Sequence, residues 1–362
     1  MDFALDETAT AIVAAAAGVL DGEVGHGEAA DGAGEEAERT WKALGQAGLL
    51  SLSVPARLGG EGLGVLASML VLVEIGRRGV TLPALATLAL GVLPTARWGT
   101  PEQQDELLAG SPVLTAALRE PAAPQPAAPA TTCDPGLVVT GTKIGVPYAD
   151  KARRMLVPVS LATGGTAVAI VDPTAEGVVL TKTPSSSGSP EWTVRFAGAA
   201  ADGLLGDDDT GAAVDDLYHL ALAGACALGD GAVAGALALT SAHVGTREQF
   251  GRPLAAFQAV AQQIADVYVA ARTLHLATLS ACWRLTEGLP AERDVLVAAY
   301  WLASQAPPAL RTCHHLHGGL GLDVTCPLHR HSSLVKDLVR ATGGVEHRLD
   351  ALAGIPAAGQ EE

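Results

Sequence analysis

The chain has 362 residues, which at roughly 100–200 residues per domain allows two or three modules around a sizeable core and excludes a minimal scaffold or peptide ligand. Lys and Arg number 23 against 39 Asp and Glu, a formal net charge of −16, so a phosphate-tracking groove would have to work against the field of the whole chain, and nucleic-acid binding is not expected. Apolar residues make up 49% and charged residues 17%, the composition of an Ala-rich helical globule that folds and not of a disordered chain.

The opening MDFALDET is acidic and lacks the basic start of a signal peptide, and no apolar stretch of about 18 residues runs free of Pro or charge. A cytoplasmic protein with no membrane segment is expected. Cys133, Cys226, Cys282, Cys313 and Cys326 are odd in number and unevenly spaced, which argues for reduced thiols over a disulfide framework.

From residue 1 to about 110 the apolar period is helical, through AIVAAAAGVL, ERTWKALGQAGLL, LASMLVLVEIGRRG and PALATLALGVLPTARWG. Gly59, Gly60, Gly62 and Gly64 lie between two of these helices; they follow no strand and open no βαβ unit, so they read as a turn and not as a nucleotide loop. At residue 113 the character changes. GLVVTGTK, RMLVPVS, TAVAIVD, GVVLTKT and EWTVRFAG are short Val/Thr-rich runs split by Gly and Pro, the pattern of a small antiparallel β domain, with an Ala/Pro-rich loop over 121–132. After the acidic turn 206–211 helical patterning returns and holds to about 352. Within it Phe257, Val260, Ile264, Val267, Ala271, Leu274, Thr278 and Ala281 alternate at steps of three and four, a bundle seam. The expected fold is α+β, mainly α: an N-terminal helical domain (1–110), a middle β domain (113–208) and a C-terminal four-helix bundle (211–355).

Two stretches are more specific. TREQFGRPLAAFQAVAQQIAD gathers Arg247, Phe250 and Gln258 around a helix–turn–helix, and HLHGGLGLD follows His315 with Gly318, Gly319 and Gly321. Arg donates two parallel charge-assisted hydrogen bonds to a pyrophosphate, and glycines let backbone N–H groups approach a diphosphate closely. Singly, each residue reads as a solvated cation, plain core or a surface amide; together they suit the ADP half of a dinucleotide.

With these motifs and the early GLLSLSVPARLGGEGLG, the chain resembles the acyl-CoA dehydrogenases over nearly its whole length, and within them the non-catalytic partner of heteromeric actinobacterial enzymes that oxidise steroid side-chain CoA thioesters. The resemblance implies that Arg247, Phe250, Gln258, His315, Gly318 and Gly319 hold the ADP half of an FAD whose flavin lies in a neighbouring subunit, with His315 replacing the family's usual Gln. The family's catalytic Glu falls here, counted from Arg348, at Ala341 or Thr342, and its alternative location at about Ala221; none can act as a base, and Glu346 and Asp216 lie displaced along their helices. The flavin and substrate loop survives only as Arg119, Glu120 and Pro121, and the flavin-wall stretch after Gly141, Thr142 and Lys143 becomes Ile144, Gly145 and Val146. A homo-oligomer needs both halves of such a site in identical chains, whereas a hetero-oligomer does not.

A cluster over Cys313, His314, His315, His317, Cys326, His329 and His331 has zinc-ligand chemistry, but Cys-x12-Cys-x2-His fits no common zinc module, so no metal is expected and His329 and His331 read as a solvated helix face. The resemblance thus implies an FAD-dependent acyl-CoA dehydrogenase subunit in an α2β2 assembly. A homologous catalytic chain would bring the base and most of the acyl-CoA site, and an electron-transfer flavoprotein would be the acceptor. The alternatives are a self-sufficient homotetramer with an unusual base and a flavin-free scaffold subunit.

Overall fold

The computed structural model describes residues 3–23 and 33–355. Five helices come first: α1 (Glu7–Glu23), α2 (Ala33–Gln46), α3 (Val65–Arg78), α4 (Leu93–Trp98) and α5 (Pro101–Leu108). Strands β1 (Thr115–Ala116), β2 (Thr132–Asp134), β3 (Val138–Pro147), β4 (Met155–Leu161), β5 (Thr166–Val171), β6 (Val178–Thr183) and β7 (Glu191–Leu204) follow. The remainder is α6 (Ala212–Thr246), the two-residue strands β8 (Glu248–Gln249) and β9 (Arg252–Pro253), α7 (Gln258–Thr286), α8 (Glu292–His317), α9 (Leu328–Ala341) and α10 (Gly344–Ala353). The described residues group into two compact units, one drawn from 3–23, 33–47, 69–80 and 225–355, the other of 48–68 and 81–224.

The second unit holds the sheet. β4, β2, β3, β7 and β5 pair in succession and β5 pairs back to β4, closing a ring to which β1 and β6 attach. Closure leaves these strands without free edges. Their inward residues, among them Val157, Val159, Ala167, Ala169, Val194 and Phe196, are buried in one core. The expected antiparallel order fails where β4 runs parallel to both β1 and β2, because β2 lies at the end of the long 121–132 loop, which lets the chain re-enter the sheet from the other side. The run Leu85–Val92, expected as ordinary helix, winds as π-helix, with Leu93 N–H reaching Leu88 O. Pro94 has no N–H with which to tighten the turn, and Gly91 lies so close to Leu114 that a Cβ would fall 2.3 Å from its Cβ. The glycine-rich segment after Gly48 is a turn, as its sequence suggests.

In the first unit α3 meets α6 backbone to backbone. A Cβ on Gly76 would lie 2.1 Å from Leu228 O, one on Gly231 1.9 Å from Val73 O, and one on Gly235 2.1 Å from Arg77 O. α6 passes the length and composition test for a membrane span, yet 89% of its most apolar window is buried inside the chain, the mark of a core helix. α8 runs unbroken through Pro307 and Pro308, although these leave the carbonyls of Ala303 and Ser304 without their ordinary helical donors. The α7 seam is buried from Val267 through Ala271, Leu274, Thr278 and Ala281, but Phe257, Val260 and Ile264 are only half-buried. All five cysteines are free and buried.

Gly231→Ala should cost about 1–3 kcal/mol or more by overpacking the α3–α6 crossing. Gly18→Ala, in α1 with nothing within 4 Å of the new methyl, should gain up to ~1 kcal/mol from helix propensity. Thermal melts of the two variants test the pair.

Candidate cofactor site

α6 ends in a closed loop. Arg247 N–H donates to His243 O and Arg247 O accepts from Leu254 N–H, both at 2.8 Å. Between them β8 and β9 pair, with Phe250 (φ 53°) and Gly251 (φ 77°) as the two turn residues. Positive φ at both positions suits a two-residue hairpin, but it is costly for an aromatic residue, and Phe250 is nevertheless held there 92% exposed. Its ring meets Phe257 edge-on at 6.2 Å, and the Arg252 guanidinium lies 4.0 Å from the centre of Phe257. Gln258 opens α7 on the surface beside this cluster.

α8 ends where Gly318 (φ 58°, ψ −136°) donates its N–H to His315 O. The following 3-10 turn, Gly318–Leu322, is pinned by His314, whose Nδ1 lies 2.9 Å from Gly321 O and whose Nε2 lies 2.6 Å from Ser332 Oγ. A carbonyl only accepts, so Nδ1 carries the proton. Gly321 is required by packing, since a Cβ would come within 3.0 Å of His314 O, whereas Gly318 and Gly319 face open space. The α6 and α8 ends are joined by a residue that sequence reasoning passed over, His243, which stacks on His317 with ring centres 4.5 Å apart and 12° between planes. This brings Arg247, Phe250 and Gln258 to the same end of the helical unit as His315, Gly318 and Gly319. An exposed guanidinium, an exposed imidazole and an unobstructed glycine pair are a donor set that fits a diphosphate.

The positions where the resemblance implies a base hold none. Ala341 is the last residue of α9, Thr342 is buried behind it, and Glu346 is exposed on α10 beyond Gly343 and Gly344, both at positive φ. Ala221 is mid-helix in α6. One turn and a half before it, Asp216 accepts from Arg97 at 2.7 and 3.1 Å and from Trp98 Nε1 at 2.8 Å, so its oxygens are committed to structure.

The Arg119–Glu120 segment and β3 form a separate buried cluster. Lys143, wholly buried, donates to Glu120 at 2.8 Å, and the same carboxylate accepts from Ala130 N, Thr131 N and Thr131 Oγ1. Burial pushes the Glu120 carboxyl up, but these hydrogen bonds outweigh it and hold the group below the ordinary range. Beside it Arg119 fills the space left by Gly145: a Cβ there would lie 2.6 Å from Arg119 Nη1.

The Cys/His cluster separates into individual structural roles, and no group of three or more His, Cys, Asp or Glu among the described residues is placed to hold a metal. His314 and His317 bond to backbone carbonyls, as does His329, to Cys326 O. The reading of His331 as solvated is wrong: it is buried against Gly79 and Gly235, whose missing side chains make room for its ring. An α9 pattern of alternating His, Arg and Ser gave no sign of that contact from across the sequence.

Residues 6–111 match the acyl-CoA dehydrogenase N-terminal domain and residues 218–344 the acyl-CoA dehydrogenase C-terminal domain. The acyl-CoA dehydrogenase FadE28 of Mycobacterium tuberculosis is 49% identical over 322 residues, 88% of this chain and 92% of its own length. Among solved structures, the ChsE4-ChsE5 complex of Mycobacterium tuberculosis superposes with a TM-score of 0.86 at 30% identity, covering 99% of this chain and 100% of the other. The Tcur3481-Tcur3483 steroid ACAD gives 0.85 at 30% identity, covering 96% and 97%. The chain belongs to the acyl-CoA dehydrogenase family, and its helix–sheet–helix architecture is the fold of that family.

Burial drives the His331 pKa down to about 4, outweighing a backbone contact with Gly76. The folded state therefore binds fewer protons here than the unfolded one below the ordinary histidine pKa near 6.5, and stability falls as the pH drops from there towards 4, by up to about 3 kcal/mol. Urea unfolding across this window should show a shallower pH dependence in His331→Gln than in the wild type.

Proposed function

We propose that this chain is the non-catalytic subunit of a heteromeric FAD-dependent acyl-CoA dehydrogenase, bracing the ADP half of a cofactor whose flavin, thioester substrate and base belong to a homologous partner chain. The observation that carries this reading is an asymmetry. The diphosphate donor set around Arg247 and Gly318–Gly319 is intact, while Ala221 and Ala341 occupy both positions of the family's base and Asp216 is tied to Arg97 and Trp98. Arg119 in the space left by Gly145 supports the same conclusion from the opposite half of the site, because it fills the stretch that resembles the flavin wall.

FAD, when bound, supplies the hydride acceptor for α,β-dehydrogenation of a CoA thioester. The residues of this chain bind and orient. Arg247 offers its fork to the diphosphate, Gly318 and Gly319 expose backbone N–H groups, His315 donates from the end of α8, and Phe250 presents an apolar face. None of them abstracts a proton. The half-buried start of the α7 seam and the exposed Phe250 support an assembly surface at the same end of the bundle, in an α2β2 arrangement. The steroid ACAD and the two-component complex among the structural relatives favour a steroid side-chain thioester as substrate.

Co-expression with a catalytic acyl-CoA dehydrogenase chain and flavin counting test the proposal. The isolated chain should turn over acyl-CoA at least roughly 10²–10⁴-fold more slowly than the mixed complex, the usual worth of a positioned base. Turnover by the isolated chain at the rate of the complex would support a self-sufficient homotetramer, and a colourless complex would support a flavin-free scaffold. In an assembled complex Arg247→Ala should weaken FAD retention by about 1.5–3 kcal/mol, and Arg247→Lys should rescue it in part.

A further inference from the structure

The His243–His317 stack has no part in the reading above beyond joining two helix ends, yet its chemistry is specific. His317 is buried, and its Nδ1 lies 2.9 Å from Cys313 O, so that nitrogen carries a proton and the ring is fixed in orientation. His243 covers the face of that ring at 4.5 Å and remains half-exposed. It lies four residues before Arg247, whose N–H donates to His243 O, and the Arg247 charge lies close enough to act on the imidazole.

We propose that His243 is a second anion-binding residue of the Arg247 site, and that it takes up one proton from solvent when a diphosphate binds there. This rests on the diphosphate reading of Arg247. Desolvation, the neighbouring His317 of α8 and the Arg247 charge of its own helix all disfavour protonated His243 in the chain without ligand, and its pKa lies below the ordinary histidine value. A diphosphate held by Arg247 reverses the sign of the local field. The imidazolium becomes the favoured form, and the ring gains a charge-assisted donor directed at the same anion. By linkage, binding must tighten as the pH falls through the titration range of His243.

The probe is ADP-ribose, which carries the ADP half with each phosphate in one ester and one anhydride bond and so adds no phosphate titration of its own near neutral pH. Calorimetry on the full chain and on its FAD-stripped complex with a catalytic partner, in two buffers of different protonation heat, reads affinity and proton uptake together. The expected result is affinity about threefold or more tighter near pH 5.5 than near pH 8, with net proton uptake. His243→Gln should abolish both while retaining binding near pH 8, and His243→Tyr, which keeps a flat ring on His317, should behave like it and controls for loss of the stack. Binding that depends on Arg247 but not on pH, or a pH dependence unchanged in both His243 variants, overturns the proposal alone. Failure of either preparation to bind ADP-ribose, or full binding by Arg247→Ala, overturns the diphosphate reading and the proposal with it.

Discussion

The helical unit depends on one close approach, that of α3 to α6. Where Gly76, Gly231 and Gly235 meet the opposing carbonyls there is no room for a methyl group, so the two helices are keyed in both rotation and translation, and neither can slide without a backbone clash. Everything at the end of α6 inherits that alignment. Gly235 also admits the His331 ring, which fastens α9 to the crossing, and about two turns beyond Gly235 α6 presents His243 to His317. The positions of Arg247 and of the Gly318–Leu322 turn are thus fixed from the helix crossing outward, through packing that contains no charge.

Much of the architecture was legible because it rests on periodicity. The switch from 3.6 to 2 near residue 113 and back after the acidic turn matches the passage from α5 to β1 and from β7 to α6. What was not legible depends on contacts distant in sequence. The π-helical turn needs Leu114 against Gly91, and the parallel pairing of β4 with β1 and β2 depends on how a long loop returns. The burial of His331 depends on glycines far away in sequence, Gly79 just after α3 and Gly235 in α6. The same division applies to the site. Arg247, Gln258 and the glycine pair were singled out as candidates by motif spacing, but the stack beside them joins residues 243 and 317, and nothing local in either segment announces it.

The two halves of the expected site are maintained by different physics. At the α6–α8 end the polar groups are exposed and available, and order comes from backbone bonds and ring stacking. In the β unit the corresponding polar groups have turned inward: Glu120 and Lys143 satisfy each other and the 130–131 backbone in the interior, where leaving either unpaired would cost several kcal/mol. A carboxylate so engaged stabilises a loop and is withdrawn from solvent and from ligand chemistry alike. Removing either partner alone would strand the other as a buried, unpaired charge.

The proline pair in α8 has a dynamic consequence. Without donors for the carbonyls of Ala303 and Ser304, the hydrogen-bond ladder of this helix is interrupted midway, so cooperative fraying that begins at His317 meets a natural boundary at Pro307 and Pro308. The last two turns of α8, which bear His314, His315 and His317, are thereby mechanically partitioned from the buried stretch between Val295 and Ala303. Local opening at the His317 end, on the timescale seen in amide exchange, need not propagate into the core of the bundle.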